Sequence, residues 1–312
     1  MKGMKLFGLL AALCFFQFAG VAQAEKCELN VGVTLHPYYS WVSNIVGDTA
    51  KITTLIPEDS DPHSYQPKAD DLANLQKIDA LIVNGQGHDE YVRSMLKAVD
   101  RKDLKLIDTS VGLPLIPTFG HHYDFEKEDA SSSKVSYNSH TYIAITGAIQ
   151  QINLIAGQLG ELCPENLIFY KKNARAYAKR LRRILLSALN KIEEYDTTQL
   201  RIATVHDGYA YLMQELGLEI AAVIQPRHGI EPNPRQLQDT IKRIKKANVN
   251  ILFTEIDYEK RYVNIIFQET GCRIYSLSHI SNGKYSADKF ELDIQRNIDD
   301  IIKALQDANS NS

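Results

Sequence analysis

Little in this sequence points to a ready-made class. It has one tryptophan, four cysteines with no CxxC pair, and almost no excess of one charge: 35 Lys+Arg against 38 Asp+Glu in 312 residues, formally −3. A near-neutral chain gives no electrostatic reason for a nucleic-acid partner, and none is expected. HExxH, GxSxG and Walker A motifs are missing, which removes the usual zinc-protease, serine-hydrolase and nucleotide-binding readings. An exported zinc hydrolase with other ligands stays as the alternative from the enzyme class. Past the N-terminus there is no hydrophobic run of spanning length. With 23% charged residues, 17 Gly and 10 Pro, the chain has ordinary globular composition.

What is present begins with a leader. Lys2 and Lys5 precede an apolar run over residues 6–21, and Ala22-Gln23-Ala24 ends it. That order reads as a secretory signal peptide over 1–24 and implies a periplasmic protein. Leu13 is bulky before Cys14, which argues against lipid attachment there. Cleavage after Ala24 leaves 288 of the 312 residues and removes two lysines, moving the charge from −3 to −5. Cys27, Cys163 and Cys272 then face an oxidising compartment, where one disulfide or buried thiols are both possible.

The remaining chain alternates strand-like and helix-like stretches. Strands are expected at 29–34, 51–56, 80–83 and 105–107, with helices at 38–46, 67–77 and 88–99 between and after them. A loop of about thirty residues, 109–139, interrupts the pattern, a length that is often functional. Helices are expected over 141–162 and, opened by Pro164, over 165–195. Alternation then resumes, with strands at 201–205, 219–224, 250–254 and 273–276. The expected fold class is α/β: two doubly wound lobes with parallel sheets joined by one long rigid helix. The divisions are a lobe over 25–163, a linking helix over 164–196 and a lobe over 197–312. The cleft between the lobes is the default ligand site.

Ligands in open parallel sheets bind beyond the carboxyl ends of strands. His63 follows the 51–56 strand, His206 follows the 201–205 strand and His279 follows the 273–276 strand, while His140 closes the long loop. Two come from each lobe, so all four can converge on the cleft as a metal site. His88, in Asn84-Gly85-Gln86-Gly87-His88, reads as a helix cap near the cleft rim. His36, and His228 with Glu231, read as bystanders. The Lys and Arg residues of the long helix read as a solvated face.

Three segments carry a resemblance: Asp61-Pro62-His63-Ser64-Tyr65-Gln66-Pro67, Asn138-Ser139-His140-Thr141-Tyr142, and His206-Asp207-Gly208-Tyr209-Ala210-Tyr211-Leu212. They resemble signature segments of the zinc- and manganese-type substrate-binding proteins of ABC transporters. Gln66 stands where that family has Glu, Tyr209 where it has Phe, and Asn138-Ser139 where it has Asp-Pro. The resemblance implies one metal ion, Zn2+ or Mn2+, held between two lobes for delivery to an ABC permease in the inner membrane, by a monomeric protein that is not an enzyme. A secondary role as an adhesin is also compatible with it.

The family's fourth ligand is often an Asp near the last strand. Here Leu277-Ser278-His279-Ile280 takes that place, so His279 is the preferred substitute, with Glu255, Asp257 or water as alternatives. Nitrogen-rich ligation favours zinc over manganese. Imidazoles must be neutral to bind, so affinity is expected to fall as pH drops through about 6.5. His121 and His122, in the long loop, resemble in position the family's His-rich loop and imply a weaker second zinc.

Overall fold

The computed structural model describes residues 27–62, 65–118, 136–224, 233–256 and 260–310. The leader 1–24, His63, His121, His122, His228, Glu231 and Asp257 lie outside the described residues. The N-terminal half runs β1 (Leu29–Val33), α1 (His36–Val46), β2 (Ala50–Thr54), α2 (Ala69–Leu75), β3 (Ala80–Val83), α3 (Tyr91–Val99) and β4 (Lys105–Asp108). Its strands form a parallel sheet in the order β2-β1-β3-β4. β1 and β3 are apolar and almost wholly buried, as strands covered on both faces must be.

A short antiparallel pair follows, β5 (Pro117–Thr118) with β6 (Ser136–Tyr137), where the sequence reads only as loop. α4 (Ile145–Leu162) and α5 (Leu167–Ile192) come next. The second half runs β7 (Ile202–Thr204), α6 (Ala210–Glu215), β8 (Ile220–Val223), α7 (Pro234–Lys246), β9 (Ile251–Glu255), α8 (Lys260–Thr270), β10 (Arg273–Leu277) and α9 (Lys289–Asn309). Its sheet is again parallel, in the order β10-β9-β7-β8. Two parallel four-stranded sheets with flanking helices make the expected two-lobe α/β fold.

α5 has 26 residues and no Gly or Pro, so it extends about 39 Å. It packs on α4, α1 and α9. One continuous apolar core runs from β1 through α1, α4 and α5 to α9, and smaller cores lie under α2–α3 and α7–α8. The single tryptophan, Trp41, is fully buried, with Tyr38 and Phe290 of α9 each 5.2 Å away in edge-on contact. The two halves therefore share a packed spine rather than a loose linker. Cys27 and Cys163 form a disulfide across 136 residues, tying the start of β1 to the end of α4, while Cys272 is a buried thiol.

Helices α2, α3 and α4 begin later than their sequences suggest, and two of the delays shape the site. α2 begins at Ala69, not Pro67, where Lys68 is extended and the Asp71 carboxylate accepts the Lys68 backbone N–H at 2.7 Å. α3 begins at Tyr91 because the Asp89 carboxylate accepts hydrogen bonds from Asn84 N–H (2.8 Å) and Thr34 Oγ1 (2.7 Å), holding 84–89 as a loop. α4 begins at Ile145 because Ala144 is extended (φ −160°) and Ile143 N–H turns back onto the His140 carbonyl at 3.0 Å.

Candidate metal centre

Four histidines meet where the carboxyl ends of the two sheets face each other. His88 follows β3, His206 follows β7, His279 follows β10, and His140 sits on the turn before α4. Their exposures are 1%, 6%, 6% and 3%, so a cation among them would be nearly dry. Ring centroids lie 4.6 Å apart for His140–His206, 4.8 Å for His140–His279, 4.9 Å for His88–His140 and 5.5 Å for His206–His279. One ligand nitrogen each from His88, His140 and His279 falls within a 4.8 Å span. The same holds for His206 and His279 with a Glu255 oxygen, and for His140 and His206 with an Asp207 oxygen.

Each ring is oriented from behind. Asn138 Oδ1 accepts both the backbone N–H of His140 and its Nδ1–H, at 2.9 Å each. Two donors on one oxygen fix that atom as the acceptor, so His140 turns Nε2 inward. His206 Nδ1 stands 3.3 Å from the Asp207 carboxylate, and its Nε2 lies 3.0 Å from His140 Nε2. His279 Nδ1 contacts Ser281 Oγ at 2.8 Å and the Tyr142 hydroxyl at 3.3 Å. That hydroxyl also lies 2.5 Å from His88 Nε2. Burial pushes the Tyr142 phenol well above its ordinary range, so it stays protonated, with one hydrogen to give to His88 Nε2 and lone pairs that can accept Nδ1–H from His279. Outer partners of this kind set tautomer and ring angle at metal sites.

The arrangement fits a metal on two physical counts. Two ring nitrogens 3.0 Å apart repel through their lone pairs unless a proton or a cation lies between them. In a tetrahedral zinc–imidazole site adjacent nitrogens sit about 3.3 Å apart, close to that spacing. The second count is room. A Cβ on Gly208 would stand 3.0 Å from His206 Cδ2, 3.2 Å from His140 Cδ2 and 3.2 Å from His279 Nε2. Glycine leaves that space open at the edge of the cluster.

Of the four histidines expected to converge, His140, His206 and His279 are brought together and His63 lies outside the described residues. His88 corrects the sequence reading: it caps no helix but stands among the other rings. The same strand-end rule that singled out His206 applies to it, since it follows β3. His36 is fully buried, stacked on Tyr285 with centroids 3.9 Å apart, and belongs to none of the candidate ligand groups among the described residues.

The sequence model of the family described as zinc-uptake complex component A, periplasmic (ZnuA), matches residues 31–304. The chain belongs to the ZnuA family. It is similar to the high-affinity zinc uptake system protein ZnuA of Bacillus subtilis, at 24% identity over 97% of this chain and 93% of that protein. It is also 24% identical to the zinc-binding lipoprotein AdcA of Streptococcus pneumoniae, over 86% of this chain. The chain spans only 54% of AdcA's length. Among solved structures, the SBP FpvC of Pseudomonas aeruginosa in complex with Ni2+ is 41% identical, with TM-score 0.81 over 90% of this chain and 98% of that one. FpvC has also been solved with Mn2+, at the same identity and TM-score. ZnuA-family proteins are substrate-binding components of metal transporters, which sets the hydrolase alternative aside.

Proposed function

We propose that this chain captures one divalent transition-metal ion between its lobes, zinc by preference, in the periplasm, and delivers it to an ABC permease for import. The observation that carries this reading is the meeting of buried imidazoles from both halves of the chain. His140, His206 and His279 form the proposed ligand set, and His88 and His63 compete for the fourth position. Four neutral nitrogens suit tetrahedral zinc, and imidazole also suits nickel. The leader supports export, and transporter relatives support the permease.

A broader metal range has its own support. FpvC has been solved with Ni2+ and with Mn2+, and Glu255 adds an oxygen beside His206 and His279. Competitive titration of metal-free protein separates the readings. Zinc should bind at one ion per chain and displace both nickel and manganese. Tighter binding of manganese than of zinc would overturn the zinc preference.

A further inference from the structure

The outward face of α5 carries a charge pattern that metal capture does not use. α5 holds eight basic residues and no acidic one. Taking these eight from the 35 Lys+Arg leaves 27 against 38 Asp+Glu for the rest of the chain. The helix is thus the positive pole of an otherwise acidic molecule. Seven of the eight are exposed, and six of these, Lys171, Lys172, Arg175, Lys179, Arg182 and Arg183, fall within residues 171–183. None of the six makes an ion pair among the described residues, whereas Arg180, on the inner flank, is bound to Glu291 at 2.9 Å.

Position matters more than number. Steps of three and four residues place 168, 172, 175, 179, 182 or 183, and 186 on one stripe, about 27 Å long. Ile168 (83% exposed) and Leu186 (60% exposed) stand at its two ends. Like charges three and four apart repel along the stripe, each pair costing a few tenths of a kcal/mol with no acid to relieve it. Cations bracketed by exposed aliphatic side chains on one face match an anionic, partly apolar surface.

We propose that this stripe docks on anionic phospholipid headgroups, so that the binding protein lies with α5 against the membrane surface. The inference rests on the reading that the chain works beside a membrane permease. Holding it there turns the search for that permease into a two-dimensional one, and leaves the metal cleft untouched because none of these residues lines it.

The test uses the exported form, residues 25–312, in every variant, with sedimentation of phosphatidylcholine vesicles with and without phosphatidylglycerol. Wild-type protein should bind the phosphatidylglycerol vesicles only, and raised salt should release it. Replacing Lys172, Lys179 and Arg183 by Gln should weaken vesicle binding on the order of a hundredfold. Zinc stoichiometry of the triple variant should stay that of wild type, which reports on the fold and on metal capture separately. Equal binding to neutral vesicles, no binding by wild type, or undiminished binding by the triple variant would overturn the proposal. Wild type that ignores vesicles but binds an acidic protein would overturn it as well.

Discussion

The carboxylate of Glu215, at the end of α6, accepts the backbone N–H of Ile145, the first residue of α4, at 2.7 Å. Its second oxygen accepts Thr146 N–H at 2.6 Å. α4 has no cap of its own, so a residue of the second half satisfies the helix start that follows His140. α6 itself follows His206. The pair therefore fixes how far apart the two histidine-bearing segments stand. Glu215→Gln keeps the shape but loses one acceptor and the charge that favours a helix N-terminus. It should cost about 1 kcal/mol of stability in thermal unfolding and speed metal release in stopped-flow chelation. Release and melting at wild-type values would show that the clasp does not set the site.

Asn138 is the second such link. Besides holding His140, it donates through Nδ2 to the Asp207 carbonyl at 2.8 Å, and its own carbonyl accepts the Tyr211 hydroxyl at 2.9 Å. Asn138→Ala should lower zinc affinity roughly 10- to 100-fold, as loss of a ligand's outer partner does. Asn138→Asp restores the acceptor for Nδ1–H and should recover most of the loss. A competition assay with a coloured chelator reads both; equal affinity in both variants and wild type would contradict the role.

Gly208 tests the space directly. Its conformation permits a side chain, but an Ala Cβ would press on His140, His206 and His279. Gly208→Ala should lower zinc affinity at least about tenfold while leaving the apo melting temperature within a degree or two, since one crowded contact reorients rings rather than unfolding a core. Unchanged affinity would mean that the rings do not need that space.

His36 governs acid stability rather than binding. Burial pushes its imidazole down to about 4, only partly offset by the hydrogen bond to the Gly283 carbonyl at 2.7 Å. The unfolded chain, with a pKa near 6.5, takes up the proton first. Stability from this group is therefore whole above pH 6.5 and is lost as pH falls from 6.5 to 4. The gap corresponds to about 3 kcal/mol. Urea midpoints at neutral and acid pH should diverge less in His36→Gln than in wild type; an identical divergence would rule out His36 as the source.

Strand–helix alternation, the long helix and the strand-end histidines were legible because they are local patterns. His206 and His279 needed only the rule that ligands gather at carboxyl ends of strands, while His140, at the close of a loop, needed the resemblance of the segment Asn138 to Tyr142. His88 was misread because a His after two glycines and before Asp-Glu resembles a helix start, whereas Asp89 ties that stretch back to Asn84 and Thr34. The Cys27–Cys163 pairing, the Glu215 clasp and the Asn138 seam join residues roughly 70 to 136 positions apart, where no local pattern operates. The capping of α4 by a residue of the other half is a tertiary choice that a helix sequence does not record.

The central claim is that imidazoles from both halves hold one metal ion. X-ray absorption at the zinc edge on the one-to-one complex tests it most directly. A shell of about four nitrogens at roughly 2.0–2.1 Å is expected, with the multiple-scattering signature of imidazole. A shell dominated by oxygen or sulfur would contradict it.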